Sequence, residues 1–145
     1  MTTPAENYIG IMVTLKVEGE HSLFVMLGAD GAIKRMGNGA VDNDEFDMFL
    51  GKTGPELFAS LLPKITPEFC QWFGQSLGDR ESKGKMCELT VGVMLEGGEE
   101  KIMQWRYGAE SQGPPPEVCQ FVIAVVDTTE PWFVQQKAMA EKTDQ

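Results

Sequence analysis

The chain has 145 residues, of which 42% are hydrophobic and 23% charged. That balance excludes a disordered polymer and suits a single globular domain over residues 1–145. A formal net charge of −10 repels nucleic-acid phosphates and anionic lipid and attracts basic partners.

No apolar run approaches the roughly 18–20 residues needed to span a bilayer. Neither nucleic acid nor membrane is therefore an expected partner. The opening residues MTTPAENY lack the basic and apolar regions of a secretory signal. Cys70, Cys87 and Cys119 are odd in number, far apart and without CxxC spacing. Their apolar surroundings predict free buried thiols in a reducing compartment, and the expected location is the cytoplasm.

Tyr8 to Val17 reads as a strand. Ile9, Ile11, Val13, Leu15 and Val17 fall on one face, and Gly10, Met12, Thr14 and Lys16 on the other. Glu18 to His21 supplies a turn. Ser22 to Gly37, SLFVMLGADGAIKRMG, then reads as an antiparallel hairpin reversing at Asp30-Gly31. Leu23, Val25 and Leu27 alternate with the equally apolar Phe24 and Met26, which predicts a strand buried on both faces at the centre of a sheet. Gly28–Gly31 and Gly37–Gly39, with Lys34 or Arg35, could cradle an anion. Neither carries a GxGxxG or GxxxxGK[ST] pattern, so turn chemistry is the preferred reading.

The segment DNDEFD crowds Asp42, Asp44, Glu45 and Asp47 together. A calcium loop of the EF-hand type is not met, because its glycine position falls on Asp47 and its closing glutamate on Thr53. These four carboxylates are instead the candidate surface for a basic protein partner. No metal and no cofactor is assigned.

Thr53 to Glu56 has the form of a capping box ahead of a helix bearing Leu57, Phe58, Leu61 and Leu62, with Pro63 as its stop. Thr66-Pro67 begins a second helix, on which Phe69, Phe73 and Leu77 align and which Gly78 ends. Cys70 and the single histidine, His21, have no local signature of a nucleophile–base pair. No catalytic residue is assigned.

Met86 to Leu95 and Lys101 to Tyr107 read as a second hairpin around Glu96-Gly97-Gly98-Glu99. On its return strand Met103, Trp105 and Tyr107 share one face, and Ile102, Gln104 and Arg106 the other. Arg35, Glu88, Gln104 and Arg106 are the candidate polar groups of a ligand pocket. No second carboxylate is spaced to make Glu88 half of an acid/base pair.

Three prolines, Pro114 to Pro116, lead into EVCQFVIAVVD. Its apolar residues suit a helix, although its β-branched content also suits a strand. Thr128 or Thr129 caps a further helix with Pro131 in its first turn, and the tail from Glu141 is expected to fray.

These elements predict an α+β two-layer sandwich, an antiparallel sheet of about five strands packed against helices in the order β-β-β-α-α-β-β-α-α. Strand order is not readable from the pattern. In general character the chain resembles small acidic bacterial proteins, with no motif that names a family. The expected function is a small acidic protein-interaction or inhibitory module, immunity-protein-like or an adaptor, binding a basic protein. The alternative is a small-ligand-binding protein or enzyme with a pocket between sheet and helices. A homo-oligomer is the third reading.

Overall fold

A computed structural model describes residues 8–44, 46–78, 83–110 and 113–143, with side chains as far as residue 141. Outside the described residues lie most of the polar lead, Glu45, four of the seven residues of the expected connection from Asp79 to Lys85, two residues of the loop before Pro114, and the last of the tail.

The architecture is α+β, an open sheet with helices against one side. The sheet has seven strands in the order β4-β3-β2-β1-β6-β7-β5. They are β1 (Tyr8–Val17), β2 (Glu20–Gly28), β3 (Ala32–Gly37), β4 (Met48–Lys52), β5 (Ser76–Gly78), β6 (Met86–Leu95) and β7 (Glu100–Gly108). All pairings are antiparallel except β5 with β7, so the sheet is mixed. The helices are α1 (Glu56–Leu61), α2 (Pro67–Cys70) and α3 (Pro116–Thr143), with a 3-10 turn at Leu62–Lys64.

Both expected hairpins form. Gly31 takes φ 93°, and Asp30 Oδ1 accepts the Ala32 N–H at 3.0 Å. A Cβ on Gly31 would also sit 2.0 Å from the Thr53 carbonyl oxygen, so glycine is required twice over. The second hairpin closes through Gly98 N–H to Leu95 C=O at 2.9 Å.

The core lies between sheet and helices. Ile11, Val13, Leu23, Val25, Leu27, Ile33, Leu89, Val91, Val93 and Met103 form its floor. Phe58 and Leu61 of α1, Phe69 of α2, and Val118, Phe121 and Val125 of α3 close it from above. Phe69 stacks on Phe121 at 4.3 Å between ring centres, which joins α2 to α3.

Several expectations are corrected. The count of about five strands missed β4 and β5, short edge strands of five and three residues whose pattern is too brief to register. The helix expected from Thr66 to Gly78 ends at Cys70. Gly74 at φ 85° turns the chain, its N–H donates to Ile102 C=O at 2.8 Å, and the backbone leaves as β5. Thr66 does cap α2, accepting from Phe69 N–H at 3.2 Å. Thr53 does not cap α1; its hydroxyl donates to Gly31 C=O at 3.1 Å and ties β4 to the first hairpin.

At the start of β1 a register shift between Tyr8 and Gly10 turns Ile9 outward, while Tyr8 packs against the core. The two C-terminal helices are one helix of 28 residues that runs through Pro131. Asp127 and Pro131 both face solvent, so the carbonyl lacking its helical donor opens to water. Thr129, expected as a cap, is fully buried mid-helix.

The most informative correction concerns β2. It is third from one edge, and Phe24 and Met26 lie half-buried on the side of the sheet opposite the helices. Among the described residues, no helix covers that side.

Candidate functional site

The acidic connection between β3 and β4 stands at the end of α3. Asn38 orders its start: Asn38 Oδ1 accepts from Ala40 N–H at 2.8 Å, and Asn43 Oδ1 accepts from Asn38 N–H at 3.2 Å. Asp42, Asp44 and Asp47 are exposed, while Glu45 lies outside the described residues. Asp44, Phe46 and Asp47 line one wall of a groove of about 360 Å³, and Lys137, Ala140 and Glu141 of α3 line the other.

Aromatic rings floor that groove. Phe49, on the helix side of β4, meets Phe133 edge-on at 5.7 Å. Lys137 Nζ lies 4.6 Å from the Phe133 ring centre. Arg35 Cζ also lies over Phe133, at 4.4 Å. Phe46 remains 57% exposed between the carboxylates. The surface thus pairs acceptors for a cation with one exposed aromatic ring, that of Phe46, while the buried Phe133 ring already carries Arg35 and Lys137.

Phe46, Phe49 and the end of α3 were absent from the sequence-based candidate surface. Phe46 and Phe49 interleave with the acidic residues in DEFDMF, a signal that could have found them. The contribution of α3, some ninety residues further on, had no signal in the sequence.

The four candidate pocket residues do not converge. Arg35 is fully buried on the helix side. Its Nη1 donates to Val126 C=O at 3.1 Å and to Thr129 Oγ1 at 3.0 Å, and its Nη2 pairs with Glu130 Oε2 at 2.6 Å. Thr129 in turn donates to Val125 C=O at 2.9 Å. Arg35 therefore clamps β3 to the middle of α3, a role that needs its planar fork of donors.

Glu88, Gln104 and Arg106 lie on the other side of the sheet. Glu88 and Arg106 are cross-strand partners with Oε1 and Nε 3.4 Å apart, Arg106 largely and Glu88 partly solvated. Gln104 Nε2 reaches Thr90 Oγ1 at 3.5 Å. The hollow between them is about 20 Å³, room for little more than a water molecule.

The sheet also separates His21 from Cys70. His21 lies edge-on to Phe24 on the open side, and Cys70 Sγ is 3.9 Å from Tyr8 Oη on the helix side. Burial, then Glu18, raises the Cys87 thiol above its ordinary value, and burial, then Glu117, raises Cys119. Both are held as thiols. Cys70, Cys87 and Cys119 are unbridged, but only Cys87 is buried as expected; Cys70 and Cys119 are partly exposed at the helix ends where they sit.

Among the described residues no three His, Cys, Asp or Glu side chains are grouped to hold a metal ion, and no helix is long and apolar enough to cross a membrane. No protein-family model and no curated protein matches the chain.

Proposed function

We propose that the protein is a small interaction module, inhibitory or adaptor-like, that receives a basic segment of a protein partner in the groove between the β3–β4 connection and the end of α3. The observation that carries this reading is Phe46, exposed between Asp44 and Asp47 beside the aromatic floor. A lysine or arginine entering there lays its aliphatic stem on the ring and presents its charge to the carboxylates. The chain's negative field hastens the encounter, and the aromatic contact slows release. Lys137 over Phe133 is an intramolecular instance of the same contact.

Binding is favoured over catalysis because Arg35 is walled off from Glu88, Gln104 and Arg106, and the hollow those three share holds little more than a water molecule. A reducing, cytoplasmic setting accords with three unbridged cysteines.

The test is affinity capture from the native cell with the wild-type chain and with a D44K/F46S/D47K variant as paired baits. A basic protein retained by the wild type, weakened by salt and reduced at least about tenfold on the variant, is the expected result. Equal retention on both baits would move the binding surface elsewhere.

A further inference from the structure

The side of the sheet without helices is apolar through its middle and charged toward its ends. Register places its side chains in rows across six strands. One row runs Leu50, Lys34, Met26, Met12, Gly92, Ile102 from β4 to β7. The next toward one end runs Lys52 and Ala32 on β4 and β3, then Gly10, Met94 and Glu100 on β1, β6 and β7. The row on the other side runs Met48, Met36, Phe24, Thr14, Thr90, Gln104. Met12, Met26, Met94 and Ile102 border a shallow apolar hollow of about 90 Å³ beside Gly92, and Leu50 is 63% exposed.

We infer that this face binds a second copy of the chain, sheet against sheet, about a two-fold axis parallel to the strands between β1 and β2. The argument is self-complementarity. Such an axis keeps position along the strands and reverses their lateral order, so β4 meets β7, β3 meets β6 and β2 meets β1 of the other copy. Within the rows, Leu50 then opposes Ile102, Met26 opposes Met12, and Lys52 opposes Glu100, each contact occurring twice.

Lys34, one strand in and one row along from Lys52, lies diagonal to the opposed Glu100, so both lysines are within reach of that carboxylate. Methionines on both sides adapt to each other across the roughly 10 Å between sheets. The charge pattern of this face also suits pairing. A chain at −10 repels its own copies, but here the register gathers Lys16, Lys34, Lys52 and Arg106 with Glu88 and Glu100. Phe24 and Met26, apolar beyond what one covered face requires, acquire a partner in this arrangement.

The test is solution mass by sedimentation and light scattering at micromolar concentrations. The wild type is expected at twice its 16.0 kDa chain mass. M26E, at the centre of the face, is expected to be a folded monomer with an unchanged circular dichroism spectrum. K34E/K52E and E100K alter charge at solvated positions and are each expected to weaken self-association at least about tenfold.

Mixed together, those two variants restore attraction at both edges, so a one-to-one heterodimer is expected. A monomeric wild type, a dimer unaffected by M26E, or a mixture that fails to associate would overturn the inference. A monomer whose open face instead takes up an unrelated helix or ligand would overturn it too.

Discussion

Val25 and Met26 are neighbours on β2 and project to opposite sides of one sheet. Val25 is fully buried in the core beneath the helices, whereas Met26 sits beside a hollow open to solvent. Both sides are apolar at their centres, yet only one is closed by the chain's own helices among the described residues. Apolar alternation thus marks a surface as apolar without showing whether the chain's own helices cover it. On the helix side the cover is intramolecular and includes a fixed polar clamp, Arg35. On the open side the polar groups are solvated and paired across strands.

Removing that clamp should produce the largest effect. Arg35→Ala strips Val126, Thr129 and Glu130 of their partner and leaves a void beside Phe133, so it should destabilise the fold by about 3–5 kcal/mol in urea denaturation. Arg35→Met also leaves those acceptors without their donor but fills most of the space, and should lose less by the part that the void accounts for. Equal losses from both would show that the ion pair, rather than packing, holds α3 to β3.

A smaller effect arises from two thiols, Cys87 buried and Cys119 partly so. Cys87 and Cys119 have raised pKa values in the folded chain, so the folded state retains protons that the unfolded state releases. Their contribution is fully present below the unfolded thiol value of about 8.5 and is lost as pH rises through the higher folded values. Stability should therefore fall above about pH 8.5, and C87A/C119A should flatten that fall. A slope that survives the double replacement would assign it to other groups.

The smallest effect should come from the open side. Glu88→Gln breaks the ion pair with Arg106, but both side chains are solvated, so stability should change by less than about 1 kcal/mol. A larger loss would mean that this side is already as tightly packed as the other.

The fold was legible where periodicity was long. The ten-residue β1 and β6 and the apolar stripe that became α3 announced themselves. Three residues of β5 and five of β4 could not, because their edge positions depend on neighbours remote in sequence. Pro131 read locally as a boundary, but the burial of Thr129 and Phe133 and the Arg35 clamp carry the helix through it. At the site, the acidic run was plain. The grouping of Arg35 with Glu88, Gln104 and Arg106 failed to anticipate geometry because polarity in a strand does not reveal which side of the sheet a residue occupies until register is known.

The most direct measurement is urea denaturation of Val25→Ala and Met26→Ser over a range of protein concentrations. The account predicts a loss of about 1–3 kcal/mol for Val25→Ala that persists on dilution. Met26→Ser should lose stability only when the chain is concentrated enough to self-associate, and should match the wild type when dilute. A concentration-independent loss of similar size from both substitutions would contradict the division of the sheet into one face that folds the chain and one that receives another molecule.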